Sequence, residues 1–294
     1  MDALANGVIG TVTDRAVISV AGPDARSYLQ GQISQDLLSL AAGDSVEALV
    51  LTPQGKLDAY VRVGLCSDDE LVLDVEPAYG EAILARLQRF KLRIKATLDL
   101  AIEPMVSLRG PKSEGLIAPG RHDDAFAHVV AWPGLVGIDL VGPAASSPVG
   151  VDLGDPVALE VARIEAGWPR MGKELNEQTI AAAAGIVERT VSFTKGCYTG
   201  QELVARLDSR GNRVPLRLEG FVAPSSAGDL PADEAPLMLG DKSVGHVTSA
   251  AFDPARGAVV GLCYLRREVE VPAECSIAMP TGEVTAQLVA LPIT

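Results

Sequence analysis

Aromatic residues are scarce in this 294-residue chain: 5 Phe, 5 Tyr and 2 Trp make up 4% of it. A surface that stacks successive bases is therefore not expected. An excess of positive charge is absent as well. Lys and Arg number 25 against 38 Asp and Glu, a formal charge of −13. Such a chain repels nucleic acid and anionic membrane at long range, so no direct nucleic-acid partner is expected. Histidine and cysteine are few. His122, His128 and His246 pair with no cysteine at zinc spacing, and Cys66, Cys197, Cys263 and Cys275 form no C-x-x-C. This argues against a structural zinc or a chain-internal cluster site. No run reaches the roughly 18 apolar residues of a membrane helix. The start, MDALANGVIGTVTDRAV, lacks the basic residues and apolar core of a secretory signal. A cytoplasmic protein without a membrane partner is the expectation.

What is present is ordinary globular composition, 48% hydrophobic and 21% charged. A chain this long buries roughly 75% of its unfolded surface and needs no disulfide or metal to fold. Three stretches are discernible. Residues 1–108 mix strands and helices. Ala16–Ala21 is a short strand, and Gly22-Pro23-Asp24 starts a helix with Pro at its first position, Leu29 inward and Gly31 as its stop. Val46–Leu51 and Leu57–Val63 are strands joined by Thr52-Pro53-Gln54-Gly55-Lys56, and Leu71–Val75 follows. Pro77 opens a helix whose Tyr79, Ile83, Leu87 and Phe90 form one buried stripe. The order of elements suggests a split βαβ, ferredoxin-like unit. Residues 109–212 are looser. Asp155-Pro156 caps a helix that buries Val157, Val161 and Ile164 and ends at Gly167. Residues 213–294 carry Leu216–Val222, Val244–Ala251, Gly257–Leu265 and Val284–Leu291, strands spaced as in a small β-barrel, with Pro224–Gly228 a loop among them.

The segment Val191–Arg213 is the most informative. Thr199-Gly200-Gln201-Glu202 fits a capping box, with Thr199 at the N-cap of a helix over 200–210. Leu203 and Leu207 mark its inner face, Glu202 and Arg206 pair at i,i+4, and Gly211 ends it. Cys197 stands just before the helix N-terminus with Lys195 two residues earlier, two conditions that favour a thiolate. From Arg189 to Arg217 there are six basic residues and two acidic ones. The segment is a local candidate for an anionic ligand, or alternatively a solvated helix face.

Lys195-Gly196-Cys197-Tyr198-Thr199-Gly200-Gln201-Glu202 resembles the K-G-C-Y-x-G-Q-E motif of the YgfZ family, folate-binding proteins related to the T-protein (aminomethyltransferase) of glycine cleavage. Gly22–Gln35, the 51–56 hairpin, Arg163-Ile164-Glu165-Ala166-Gly167 with Gly172–Leu175, and Gly245–Ser249 extend the resemblance over nearly the whole chain. It implies a T-protein-like α+β fold: three parts arranged as a ring, the third a small β-barrel, around a central cavity for tetrahydrofolate. It also implies iron–sulfur client or assembly proteins as partners, with tRNA modification affected indirectly. Cys197 and Lys195 are the implied reactive residues. Glu165, Trp168, Tyr198, Gln201, Glu202 and Arg206 are the implied folate contacts, Glu165 for the pterin donors, Trp168 for stacking, and Arg206 with Arg210 and Arg213 for a polyglutamate tail. Two departures stand out. Thr179-Ile180 runs into Ala181–Ala184 where relatives carry a proline and a glutamate. The acidic pair of the T-protein falls at Ala59-Tyr60, with Asp58 alongside on the opposite strand face. Folate-dependent aminomethyl transfer or demethylation is accordingly the alternative to the assembly role.

Overall fold

The computed structural model describes residues 7–224 and 228–294. The interior of the expected Pro224–Gly228 loop lies outside the described residues. Strands and short helices alternate first: β1 (Ile9–Ala21), α1 (Ala25–Gln30), β2 (Ser45–Leu51), β3 (Leu57–Ser67), β4 (Glu70–Val75), α2 (Gly80–Arg89) and β5 (Thr97–Arg109). Then come β6 (Gly120–His122), β7 (Ala125–Trp132) and β8 (Leu135–Val141). All eight strands form one antiparallel sheet in the order β2-β3-β4-β1-β5-β8-β7-β6.

The length of β1 and β5 gives the sheet its spine. Each has 13 residues, and they pair from Ile9 opposite Arg109 to Ala21 opposite Thr97. β4 pairs with the second half of β1, and β8 with the second half of β5. One sheet thus continues across residue 108, and the stretch read as looser supplies three of its strands. Strand alternation sorts the side chains. Ala16, Ile18 and Val20 join Leu29 of α1, Ile83 and Leu87 of α2 and Leu71 and Leu73 of β4 in the largest apolar core. Arg15 of β1 and Arg62 of β3 point to the opposite face. There the sheet curls until the Phe126 ring of β7 reaches Gly64 of β3, where an added Cβ would come within 2.5 Å of it.

Three details of the first stretch differ from expectation. α1 begins at Ala25, so Pro23 precedes the helix; Gly22, at φ 137°, abuts the Lys95 carbonyl and turns the chain there. Phe90 lies just past the end of α2 and is exposed under the Arg86 guanidinium, 5.5 Å from its ring centroid. The 52–56 turn forms as expected, with Thr52 N–H donating to the Lys56 carbonyl (2.9 Å) and Gly55 at φ 74°.

α3 (Pro156–Glu165) bridges to the rest of the chain. Asp155 caps it, accepting from Val157 N–H at 2.9 Å, and Pro156 occupies the first turn. Val161 and Ile164 pack against Leu218, Val260 and Leu262. Ala162 and Ala166 pack against Ile9, Val130 and Trp132. Val157, expected inward, is exposed because it lines an open cavity and is not packed in either cluster. α4 (Val187–Thr190) and α5 (Gln201–Asp208) follow. The last part is a closed barrel of β9 (Leu216–Ala223), β10 (Pro236–Leu239), β11 (Lys242–Asp253), β12 (Ala258–Arg266), β13 (Ala273–Met279) and β14 (Gly282–Val289), in the order β10-β11-β12-β9-β14-β13. Phe221, Leu237, Val259, Leu265, Ile277 and Leu288 fill it.

Candidate functional site

A cavity of about 720 Å3 opens where the sheet, α3 and the barrel meet. The sheet contributes Glu47, Tyr60, Arg62, Arg109 and Asp139, α3 contributes Glu160 and Arg163, the segment after it Trp168 and Arg170, and the barrel Ser249. Beneath the sheet side runs a chain of buried ion pairs. Arg15 Nε meets Asp74 at 2.7 Å, Arg62 bridges Asp74 (2.8 Å) and Asp139 (2.5 Å), and Arg109 meets Asp139 at 2.6 Å. Burial alone would push the Asp74 and Asp139 carboxyls up. The guanidiniums on either side outweigh it and hold both well below the usual carboxylate range. His128 stands beside Asp74, and burial, with Arg62 nearby, pulls its pKa down to about 4.

Both tryptophans of the chain face the cavity. Trp132 and Trp168 lie 6.1 Å apart between ring centroids. The Arg109 guanidinium sits 4.5 Å from the Trp132 ring, and Arg189 of α4 sits 3.9 Å from the Trp168 ring. Arg189 also approaches Glu47 at 3.1 Å. Burial raises the Glu47 carboxyl against that cation, and burial beside Glu47 raises the Tyr60 phenol well above its ordinary range. Tyr60 is therefore neutral. Glu160 is gripped by Arg163 (2.9 and 2.8 Å) and by Arg170 (3.2 and 3.3 Å). Arg163 also reaches the fully buried Glu174, which accepts from Thr248 (3.0 Å) and Ser249 (2.5 Å) of β11. The Gly172–Leu175 and Gly245–Ser249 blocks thus lock the barrel to α3. Three buried polar atoms on the cavity wall lack a hydrogen-bond partner: Thr11 Oγ1, Glu76 Oε2 and Arg109 Nε.

The motif segment lies outside this wall. Lys195 Nζ donates to the carbonyls of Gln30 (2.5 Å), Ile33 (2.7 Å) and Gln35 (2.9 Å), and it stands 5.2 Å from the Tyr198 ring centroid. Burial brings its pKa down to about 8, with Asp36 opposing. Tyr198 packs against the main core, where burial raises its phenol to about 12. Gly200, at φ 83°, takes the N-cap of α5, and a Cβ there would meet Thr52 O at 2.5 Å. A Cβ on Gly55 would in turn meet Leu203 Cβ at 2.6 Å. The capping box therefore does not form. The close approach of the 52–56 hairpin demands a left-handed glycine at the N-cap, and the Gln201 side chain takes the Tyr198 N–H instead (3.1 Å). Val204 is the buried residue of α5, with Leu203 and Leu207 half-buried. Cys197 is exposed on the outside of this clasp.

Of the residues singled out from sequence, Trp168 reaches the cavity wall. Cys197, Lys195, Tyr198, Gln201, Glu202, Arg206 and Glu165 are not on it. Glu202 and Arg206 pair with each other at 3.4 Å in solvent, and Arg210 and Arg213 are exposed. Glu165 lies one and a half turns beyond Glu160, a rotation that carries it to Arg256 of the barrel side at 2.9 Å. Asp58 pairs with Arg86 at 2.7 Å, and burial raises its carboxyl. Tyr60, one of the two positions matched to the T-protein acidic pair, faces the cavity from β3, as Arg62 does. Ala181 and Ala184 fill the core. Sequence reasoning missed Arg15, Glu47, Arg62, Arg109, Trp132, Asp139 and Glu160. For Glu47, Arg62 and Asp139 the available signal was a lone charged residue inside an apolar run.

A curled antiparallel sheet, a bridging helix and a closed six-stranded barrel around one cavity define a T-protein-like α+β protein. The glycine cleavage T-protein C-terminal barrel domain matches residues 217–294. The fold resembles that of aminomethyltransferase T of the glycine cleavage system from Bartonella henselae, with a TM-score of 0.81 over 97% of this chain and 86% of that one at 19% identity. In sequence, the chain is 31% identical over 246 residues to an uncharacterized protein of Haemophilus influenzae, covering 82% of this chain and 83% of that one. It is 30% identical over 252 residues to the tRNA-modifying protein YgfZ of Edwardsiella ictaluri, covering 76% and 73%. The chain belongs to the YgfZ family, which is related to the glycine cleavage T-protein. No helix among the described residues is long and apolar enough to cross a membrane.

Proposed function

We propose that the cavity binds a reduced folate, tetrahydrofolate, and that the protein supports assembly or repair of iron–sulfur proteins in the cytoplasm. Its bearing on tRNA modification then runs through iron–sulfur tRNA-modifying enzymes, in keeping with the net charge of −13. The make-up of the cavity carries this reading: about 720 Å3, two tryptophans and three buried polar atoms without a hydrogen-bond partner. A pterin is flat, aromatic and edged with N–H donors and acceptors, and such walls suit it. Trp132 and Trp168 supply the aromatic surface. Glu47 and Glu160 supply carboxylates for its donors. Arg170 and Lys173, partly exposed at the mouth, supply cations for glutamate carboxylates. Bound tetrahydrofolate would supply one-carbon chemistry or a reduced ring; the residues here bind and orient it. Cys197, exposed and away from the cavity, offers its thiol to an iron–sulfur client or assembly protein.

The two tryptophans are the only ones in the chain, so their fluorescence reports on the cavity alone. Titration with tetrahydrofolate should change it saturably at one equivalent. An unchanged emission together with no heat on calorimetric mixing would remove the folate reading.

One observation favours the alternative, folate-dependent aminomethyl transfer or demethylation. Glu47 is a cavity carboxylate with a raised pKa beside neutral Tyr60, as a proton-handling group needs. That reading runs through Glu47 and not Asp58. Turnover of a methylamine-type substrate with tetrahydrofolate, abolished by Glu47→Gln, would establish it over the assembly role.

A further inference from the structure

The sheet face that carries the cavity continues, past the ion-pair chain, to a second hollow of about 300 Å3. Strand alternation puts both on one side. Arg15 of β1 lines the first and Val17 and Ser19 the second; on β5, Ser107 and Arg109 line the first and Asp99 and Glu103 the second. The lower wall of the second hollow is apolar, formed by Val72, Phe126 and Val141. Its rim is acidic. Glu70, Asp99, Glu103, Asp123 and Asp124 face one cation, Arg121, which pairs with Glu70 at 2.5 Å. Asp99, Glu103, Asp123 and Asp124 have no ion pair among the described residues.

A cluster of carboxylates alone would say little. The floor adds an independent feature. His128 lines the hollow at 1% exposure, and its Nδ1 has no hydrogen-bond partner. Its Nε2 lies 3.3 Å from Asp74 Oδ2. Asp74, held by Arg15 and Arg62, is ionised and can only accept. The imidazole proton therefore sits on Nε2, and Nδ1 is a bare acceptor. An unpaired buried acceptor is unfavourable unless something donates to it. The donor that an acidic rim admits is an N–H cation. A metal ion does not suit the site, because no three His, Cys, Asp or Glu side chains among the described residues converge closely enough to hold one.

We infer that this hollow binds a small organic polycation, an alkyl di- or polyamine. Its methylene stem lies on Val72, Phe126 and Val141, its ammonium groups meet the rim carboxylates, and one N–H donates to His128 Nδ1.

The test is calorimetric titration of the full chain with spermidine at fixed ionic strength. One saturable site is expected. Asp99→Asn with Asp124→Asn, both exposed positions that do not endanger folding, should weaken it at least tenfold. His128→Phe should weaken it to a similar degree. The same charge change on the barrel, Glu268→Gln with Glu283→Gln, should leave it intact. Absence of a saturable site, full affinity in either the rim or the His128 variant, equal weakening by the barrel pair, or equal displacement by magnesium at matched ionic strength would each overturn the inference.

Discussion

The 191–213 segment and the cavity wall are built by opposite means. The segment is contiguous, and a few of its residues hold other loops: Lys195 grips three carbonyls of residues 30–35, and Gly200 lets the 52–56 hairpin close on α5. Its thiol is left facing solvent. The cavity wall is assembled from β1, β2, β3, β5, β8 and α3, β1 giving four polar side chains and the others one or two each. A conspicuous motif is thus a clasp with an exposed sulfur, while the pocket owes its shape to residues far apart in the chain. In this fold, local sequence density marks a mechanical joint, and the polar residues of the cavity are dispersed along the chain.

The comparison can be broken first at the buried ion pairs. Asp139→Ala leaves Arg62 and Arg109 without their shared partner and should cost about 3–5 kcal/mol in urea unfolding. A loss under 1 kcal/mol would mean that the wall is not part of the fold's cooperative core. The same region should set the acid sensitivity. His128 has a folded pKa of about 4 against an ordinary value of about 6.5, so the unfolded chain takes up its proton first. The associated stability is present above pH ~6.5 and is lost as pH falls toward ~4, by an amount of the order of 3 kcal/mol. His128→Phe should flatten the unfolding free energy over that window. An unchanged slope would place the titration elsewhere.

The clasp should respond more modestly. Lys195→Met strips the donor from three carbonyls and should cost about 2 kcal/mol, with faster amide exchange confined to residues 30–36. Uniformly faster exchange across the sheet would erase the distinction between the two regions. Cys197→Ser, at an exposed position, should shift stability by less than about 0.5 kcal/mol, while weakening support of iron–sulfur enzyme activity in cells that depend on the protein. Full activity with the serine would remove the thiol from the account.

Much of the fold was legible because its signals are local. Asp155-Pro156 capped a helix as expected, the Thr52–Lys56 turn formed, and four barrel strands fell where apolar runs sit between turn residues. β10 and β13 escaped notice, one being four residues long and the other interrupted by small and polar side chains. The continuity of the sheet across residue 108 was hidden because it runs through β5, which spans that boundary and pairs with β8, Met105 opposite Val141 and Arg109 opposite Gly137. The failed capping box shows tertiary contact overriding a local pattern: Thr199 has the right spacing, but the hairpin needs Gly200 at the N-cap. The cavity was the least legible part. Arg62 reads as one polar interruption in Leu57–Val63, and nothing nearby announces Asp139, its partner 77 residues on. Trp168 and Glu165 both stand in one recognisable block, yet Trp168 lines the cavity while Glu165 turns to Arg256, and Glu160, five residues earlier, lines it instead.

The central claim is that ligand binding belongs to the dispersed wall and not to the motif. Calorimetric titration of tetrahydrofolate into Trp168→Ala and Cys197→Ser proteins tests it most directly. The account predicts at least tenfold weaker binding for Trp168→Ala and unchanged affinity for Cys197→Ser. Unchanged binding in the tryptophan variant, with loss in the serine variant, would contradict it.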